Sequence, residues 1–307
     1  MSKVTVTFLN GIMSTYSLYQ VDAFTTHTLG GNPCAIVFDC ADLHDRVMLA
    51  IAREMNLSET SFVWRMDDGR FRARYFTPAE EIPLAGHPTV ATVYALIDSG
   101  RLKMDGDYLK LPLVLRDGPV DVEVCATGNK VERVVMSQRQ PQFLSIHHPA
   151  DVLPAFGLDE SDLLPNSVIQ TVSTGTPQLM ILIKDHASLR KATLDLVKYA
   201  DLRKRSDFFS PHLFCLQGIE KGTTFARHFG VPPDIMEDPF TGSATGGMAA
   251  YLWHYGWIKS PTFIAEQGHW MHRPGMGYVE VVGPREDIQT VKVGGAAVTV
   301  LKGELAI

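Results

Sequence analysis

The 307-residue sequence has few cysteines, and it lacks both a basic stripe and a long apolar run. Its 4 cysteines show no Cys-x-x-Cys spacing, which argues against a disulfide framework or zinc knuckle and favours reduced thiols in a cytoplasmic protein. The net charge of −6 argues against a duplex nucleic-acid binder. No apolar run approaches the roughly 20 residues of a membrane span. The composition therefore predicts no nucleic-acid partner and no membrane partner.

Motifs for nucleotides and metals are also missing. The sequence has no Rossmann fingerprint, and the glycine-rich segment 242–247 lacks the Gly-Lys-Ser/Thr ending of a phosphate loop. No carboxylate or cysteine lies at metal-site spacing from the histidines. We therefore expect neither a metal nor a bound nucleotide.

One stretch organises the chain: Glu-Asp-Pro-Phe-Thr-Gly-Ser at 237–243, which leads directly into an apolar helix pattern. Exposed amide groups at a helix start, together with the positive end of the helix dipole, favour a carboxylate or phosphate. The same residue types also form ordinary helix caps. The stretch therefore predicts a site that accepts an anion, with a simple cap as the alternative.

The chain contains this stretch twice. A shift of 156 positions brings Gly86 over Gly242, and shorter offsets of 153 and 144 relate two further pairs of segments upstream. The matched segments are 83–89 with 239–245, 73–76 with 226–229, and 31–33 with 175–177. Because the three matches keep their order, they indicate an internal duplication with a period near half the chain length.

The fold class follows from the duplication and from two apolar helices, predicted over 88–99 and 243–255. A helix that is apolar nearly all round must be surrounded, so each is expected inside a curled sheet. We predict an α+β fold of two barrel-like domains related by a pseudo-twofold axis, each an antiparallel or mixed sheet wrapped around a central helix. A further helix is expected over 189–197.

The domain boundaries are expected near residue 140. The first domain covers 16–140 and the second covers 141–295. The last strand, 296–304, returns to the first domain. Residues 1–15 form an N-terminal tail, and Met13 within it is a candidate for the original start.

A twofold arrangement places the helix starts near Gly86 and Gly242 opposite each other across the domain boundary. Small-molecule clefts are common at such boundaries, and opposed helix N-termini can stabilise a carbanion or enolate. The two copies differ where a reaction requires it: Asp238 aligns with Ile82, and the second half has no match for Ser-Glu-Thr at 58–60. Such an unequal pair of carboxyl groups suits the transfer of a proton between two atoms.

Five segments of the chain resemble the PhzF family of phenazine-biosynthesis-like proteins. They are Gln-Val-Asp-Ala-Phe at 20–24, Gly-Asn-Pro at 31–33, Asn-Leu-Ser-Glu-Thr at 56–60, Phe-Thr-Pro-Ala-Glu-Glu-Ile-Pro-Leu-Ala-Gly-His-Pro-Thr at 76–89 and Glu-Asp-Pro-Phe-Thr-Gly-Ser-Ala at 237–244. The resemblance implies a diaminopimelate epimerase-like fold with the site between two domains. The family's best-known member isomerises trans-2,3-dihydro-3-hydroxyanthranilate without metal or cofactor and is a homodimer.

The resemblance also implies roles for individual residues. Glu59 matches the general base that returns the proton, and His87 and Asp238 complete the expected catalytic set. The expected substrate-binding residues are Ser58, Gly86, Thr241, Gly242 and Ser243. Structural alternatives remain open for four of these residues: Glu59 as a surface acid, His87 and Ser243 as helix caps, and Asp238 as a brace of its turn.

Three functions remain open from the sequence. The first is a cofactor-independent isomerase in which Glu59 moves a proton within a small unsaturated carboxylate. The second is an amino-acid epimerase or racemase that uses carboxylates, since no cysteine stands at either helix start. The third is a non-catalytic protein that binds a small ligand.

Overall fold

The computed structural model describes residues 14–128 and 130–307, so residues 1–13 of the predicted tail lie outside the described part. The first half of the chain contains β1 (Thr15–Ala23), β2 (Asn32–Phe38), α1 (Asp45–Met55), β3 (Glu59–Arg65), β4 (Phe71–Phe76), β5 (Glu81–Ile82), α2 (Gly86–Asp98), β6 (Tyr108–Leu115), β7 (Gly118–Thr127) and β8 (Lys130–Ser137). The second half contains β9 (Gln142–His147), α3 (Pro149–Val152), β10 (Ile169–Ser173), β11 (Pro177–Leu182), α4 (His186–Lys191), α5 (Leu196–Lys204), β12 (Ser210–Cys215), β13 (Thr224–Phe229), β14 (Glu237–Asp238), α6 (Gly242–His254), β15 (Thr262–Gln267), β16 (Gly275–Val282), β17 (Thr290–Gly295) and β18 (Ala297–Ala306).

The two halves pair their strands in the same order. In the first half the order is β18-β1-β2-β3-β4-β6-β7-β8, and in the second it is β9-β10-β11-β12-β13-β15-β16-β17. The pairs β2–β3 and β4–β6 are parallel, as are β11–β12 and β13–β15, and the other neighbours in these two orders are antiparallel. This correspondence confirms the predicted α+β fold of two related halves.

The halves are joined by sheet pairing. Strand β8 of the first half pairs with β17 of the second. The last strand, β18, returns to pair with β1 of the first half, and β9, which follows β8 in the chain, pairs with β10 of the second half. Each half therefore completes its sheet with a strand that follows the other half in the chain. The domain division near residue 140 stays a prediction.

Each sheet curls around one helix, α2 in the first half and α6 in the second. Both helices are buried along nearly their whole length, and they begin at Gly86 and Gly242, slightly earlier than predicted. Helix α2 packs against β1, β2, β3 and β8, and α6 packs against β10, β11, β16 and β17. Burying a large apolar side chain such as Leu96 or Leu252 stabilises the fold by about 1.5–3 kcal/mol.

The same ion pair recurs in both halves. Arg74 on β4 donates to both carboxylate oxygens of Glu81 at 2.8 and 2.7 Å, and Arg227 on β13 does the same to Glu237 at 2.9 and 2.8 Å. Each pair fixes the short strand that leads into the central helix. The repeated residues thus hold both helix starts in the same way.

The outer helices of the second half differ from the prediction. The expected helix over 189–197 is wrong, because the chain forms α4 and then α5 with a break between them. Asp195 accepts hydrogen bonds from the amides of Val197 and Lys198, which starts a new helix at that point. Across residues 14–128 and 130–307, no helix is both long and apolar enough to cross a membrane.

Candidate active site

A cleft of about 260 Å³ lies where the two halves meet, beside the N-termini of α2 and α6. Five of the eight predicted site residues line it: Ser58, Glu59, Asp238, Thr241 and Ser243. The other three, Gly86, His87 and Gly242, are buried directly behind that lining. The structure therefore brings all eight into one region, although segments 58–87 and 238–243 lie about half the chain apart in the sequence.

The two helix starts touch each other through their glycines. A Cβ atom added to Gly86 would lie 2.8 Å from the Gly242 Cα and 2.8 Å from the Ser243 nitrogen. A side chain at this position would therefore push the helices apart. The N-cap residues, Ala85 and Thr241, make no capping hydrogen bond with their side chains. The first-turn amides of both helices are thus not satisfied by local caps, as an anion-accepting site requires.

Glu59 begins β3, and its side chain is 17% exposed. Its Oε2 atom lies 3.2 Å from Nδ1 of His87, without hydrogen-bond geometry, and no other described residue gives it a hydrogen bond. Burial, and then the nearby carboxylates of Asp238 and Asp234, raise the pKa of Glu59 well above its ordinary value. Glu59 therefore has a free oxygen at the cleft and a strong tendency to hold a proton.

His87 stands in the first turn of α2 and is buried against Glu59. Its Nδ1 atom lies 3.1 Å from the side-chain nitrogen of Asn32, and its Nε2 atom has no partner among the described residues. Burial lowers the pKa of His87 to about 4. The imidazole is therefore neutral at neutral pH, so it can take part in hydrogen bonding or proton transfer but brings no positive charge.

Asp238 is held by donors from both halves. Its Oδ1 atom accepts hydrogen bonds from Ser58 at 2.7 Å and from Asn32 at 2.8 Å, and its Oδ2 atom accepts one from Thr241. The side chain of Gln267 donates to the Asp238 carbonyl oxygen at 2.6 Å. The carboxylate is thus fixed in orientation, and it joins the Ser-Glu-Thr segment to the second helix start.

The site contains residues that were not predicted. Asn32, Gln178 and Asp234 belong to it, and so do two residues of the second half, Ser210 and His228. Asn32 and Gln178 lie within or directly after the repeated Gly-x-Pro segments, which was the available signal. His228 lies in the repeated segment 226–229, which offered the same kind of signal, whereas Ser210 had none, because only strand pairing brings it to the cleft.

The chain was compared with known proteins. The model of the family described as phenazine biosynthesis-like proteins, PhzC-PhzF, matches residues 21–303. The chain belongs to this family. It is 34% identical over 302 residues to an uncharacterized isomerase of Clostridium acetobutylicum, with 95% of this chain and 98% of that protein covered. It is 33% identical over 285 residues to the trans-2,3-dihydro-3-hydroxyanthranilate isomerase of Pseudomonas aeruginosa, covering 92% and 96%.

Solved structures agree with this assignment. A PhzF-family phenazine biosynthesis protein of Bacillus anthracis superposes with a TM-score of 0.85 at 30% identity, covering 96% of this chain and 100% of that one. A hydroxyproline epimerase of Agrobacterium vitis superposes with a TM-score of 0.67 at 11% identity, covering 95% and 93%, and thus shares the fold. The predicted family and the diaminopimelate epimerase-like fold are confirmed, and the protein is a PhzF-like isomerase.

Proposed function

We propose that the cleft isomerises a small, unsaturated carboxylate by moving one proton, with Glu59 as general base and then as general acid. The observation that carries this proposal is the buried Oε2 atom of Glu59, which faces the site without a hydrogen-bond partner among the described residues. A carboxyl group with a raised pKa is a stronger base when ionised and retains the proton until it is returned.

The proposed reaction keeps atoms and electrons in balance. The Glu59 carboxylate takes a proton from a carbon next to the unsaturated system, and the C–H electron pair joins that system as an enolate-like anion. Glu59 then gives the proton to another carbon of the same molecule, so the double bond moves and nothing is gained or lost. First-turn amides of α2 and α6 stabilise the transient negative charge.

Other residues have supporting roles in this proposal. Ser58, Thr241 and Ser243 line the cleft, and because Ser58 and Thr241 donate their hydroxyl protons to Asp238, their oxygens can accept hydrogen bonds from the substrate. Gly86 and Gly242 let backbone amides approach it. Asp238 completes the catalytic set by holding Ser58 and by helping to keep the proton on Glu59. His87 contacts Glu59 as a neutral partner and assists the proton transfer.

The test is proton NMR in heavy water. The wild type, Glu59→Gln and the control Glu54→Gln are each incubated with trans-2,3-dihydro-3-hydroxyanthranilate and with a panel of unsaturated cyclic acids and amino acids. Glu54 is exposed on α1, so its substitution repeats the chemical change away from the cleft. We expect deuterium uptake or isomerised product with the wild type and Glu54→Gln, and a loss of roughly 100-fold or more with Glu59→Gln.

Three other outcomes would change the conclusion. Substantial turnover by Glu59→Gln contradicts the role of this residue. Exchange accompanied by inversion at an amino-acid α-carbon supports the epimerase alternative. Thermal stabilisation by a ligand without any exchange supports a binding protein that lacks catalysis.

We also propose a cytoplasmic homodimer. The family resemblance supports the dimer, and the four free thiols of Cys34, Cys40, Cys125 and Cys215 fit a reducing compartment. Light scattering after size-exclusion chromatography distinguishes a dimer from the 33.9 kDa single chain.

A further inference from the structure

A row of buried polar side chains forms the wall of the cleft contributed by the second half. Gln178, Ser210 and His228 line the cleft on β11, β12 and β13, and His212 lies behind them. These residues make no contact with Glu59 among the hydrogen bonds and ion pairs of the described residues. The row is therefore separate from the proton-transfer group.

The hydrogen bonds of this row have a direction. The Ser210 hydroxyl donates its single proton to Oε1 of Gln178 at 2.6 Å. Its oxygen must then accept the bond from His228, whose Nε2 atom lies 2.9 Å away. This places a proton on Nε2 of His228.

The histidine pair continues the same direction. Burial lowers the pKa of His228 to about 4 and that of His212 well below its ordinary value, so each neutral ring carries one proton. Because the proton of His228 is on Nε2, the Nδ1 atom of His228 accepts a hydrogen bond from Nδ1 of His212 at 3.3 Å. These hydrogen bonds therefore all point the same way, from His212 through His228 and Ser210 to Gln178.

The end of this chain is a fixed amide. Because Oε1 of Gln178 accepts from Ser210, its Nε2 group keeps both hydrogens, and no described residue accepts a bond from it. The side chain is only 2% exposed, and it lines the cleft. The amide group is thus free to donate a hydrogen bond to a ligand oxygen in the cleft.

The charges of the cleft indicate what this donor binds. The cleft lining contains the acids Glu59, Asp234 and Asp238, but none of its described residues is Lys or Arg. A substrate carboxylate therefore has to be bound by neutral donors at a distance from these acids. The α6 N-terminus supplies backbone amides, and Gln178 supplies the side-chain donor on the second-half wall.

We infer that Gln178 determines specificity by donating a hydrogen bond to the substrate carboxylate, with Ser210, His228 and His212 as positioning residues that hold the amide in this orientation. This inference rests on the proposed function, because it assigns a carboxylate subsite within the same cleft. Substrates that present an ammonium or amide nitrogen at this subsite are rejected.

The test measures how strongly the protein prefers an acid to its amide. Isothermal titration gives the Kd of anthranilate and anthranilamide for the wild type, Gln178→Glu, Gln178→Met and the control Gln289→Glu, which changes an exposed glutamine. We expect the wild type and Gln289→Glu to prefer the acid. Both Gln178 variants raise the anthranilate Kd by about 10-fold or more, and Gln178→Glu reverses the preference.

Ser210 variants test the positioning role. Without the hydroxyl, Ser210→Ala frees the amide to rotate, so the acid-to-amide preference falls by roughly 3- to 10-fold, while Ser210→Thr keeps it. A purely structural role would change the melting temperature but not this ratio. An unchanged preference in both Gln178 variants, or a wild type that binds neither probe, overturns the inference.

These outcomes are distinguishable from failure of the proposed function. Gln178-dependent preference for the acid without proton exchange in heavy water keeps the subsite and removes the isomerase mechanism. If proton exchange depends on Glu59, but Gln178 substitutions change neither KM nor kcat, the proposed mechanism is supported and the carboxylate subsite is contradicted.

Discussion

Two equivalent positions of the repeated scaffold carry different chemistry. Glu59 on β3 pairs in register with Cys34 on β2, and Ser210 on β12 pairs in register with Gln178 on β11. The first half thus presents a carboxyl group with a raised pKa to the cleft, whereas the second presents a hydroxyl and an amide. The comparison teaches that the duplicated fold positions both walls alike, while substitutions at equivalent strand positions give the walls different chemical groups. In the proposed mechanism one wall transfers the proton and the other recognises the substrate.

The difference extends one strand further. The Tyr75 hydroxyl on β4 is hydrogen-bonded to Thr89 of its own half at 2.9 Å. The equivalent residue on β13 is His228, which is hydrogen-bonded to Ser210. A tyrosine directed into the core supports packing, while the histidine extends a polar chain to the cleft. The same backbone therefore serves a structural role in one half and a site-building role in the other.

The largest expected effect separates the equivalent residues Glu59 and Ser210. We expect Glu59→Gln to lower kcat by about 10²- to 10⁴-fold, because it removes the group that accepts and returns the proton. Ser210→Ala should leave kcat within a few-fold of the wild-type value and act mainly on KM. Steady-state kinetics of both variants gives kcat and KM, and equal losses of kcat would contradict the division of roles.

The repeated ion pairs allow a closer comparison. Arg74→Gln leaves the largely buried Glu81 with only its longer contact to Arg116 at 3.4 Å. Arg227→Gln leaves Glu237 without an ion-pair partner among the described residues. Each change therefore costs up to roughly 3–5 kcal/mol. The loss should be greater for Arg227→Gln, because Arg227 also donates to the carbonyl oxygens of the buried Leu189 and Ala192, whereas the further partner of Arg74 is the exposed Asp45. Urea unfolding measures both losses, and a smaller loss at Arg227 would show that these carbonyl bonds contribute little.

The contact between helix starts gives a smaller effect. A methyl group on Gly86 would lie 2.8 Å from backbone atoms, whereas one on Gly242 would be 3.2 Å from its nearest neighbours. We expect Gly86→Ala to destabilise by about 1–3 kcal/mol and Gly242→Ala by less. Gly303→Ala, where the nearest atom is 3.7 Å away, serves as the control in the same unfolding experiment. A loss at Gly303 equal to that at Gly86 would rule out the contact as the cause.

The smallest effect concerns pH. His87, His212 and His228 have folded-state pKa values below the ordinary 6.5, and those of His87 and His228 are about 4. Their contribution to stability is fully present above pH 6.5 and is lost as the pH falls from 6.5 toward 4, since the unfolded chain binds these protons first.

The stability curve between pH 7 and 4 tests this contribution. We expect His228→Gln to reduce the slope by at most about 1.4 kcal/mol per pH unit. Unfolding in urea at several pH values gives the slopes. An unaltered slope in His228→Gln would mean that the pKa of this histidine is the same in the folded and unfolded chains.

The sequence predicted the fold because the repeat is visible in short segments. Gly86, Gly242, Arg74 and Arg227 fall within matched segments. Two related halves, each with a central helix, and a cleft between the helix starts could therefore be predicted, although the strand order could not. The break after Lys191 was not predicted, because the apolar spacing over 189–197 fits one continuous helix, whereas the Asp195 side chain caps a new one.

The candidate site was predictable only where it lies in those stretches. The bond from Asn32 to Asp238 joins residues 206 positions apart and depends on how the halves meet. The order His212, His228, Ser210 and Gln178 depends on the register of three strands and on side-chain direction, neither of which periodicity specifies.

The pairing of β1 with β18 brings the two ends of the described chain together. Ser14 and Ile307 exchange backbone hydrogen bonds of 2.7 and 2.8 Å. A short linker between these residues, with new ends opened between Gln140 and Pro141 outside any strand, would give a circular permutant in which the second half is synthesised first. We expect this permutant to form the same cleft, because the pairings of β1 with β18 and of β8 with β17 hold the halves together without the peptide bond at 140–141.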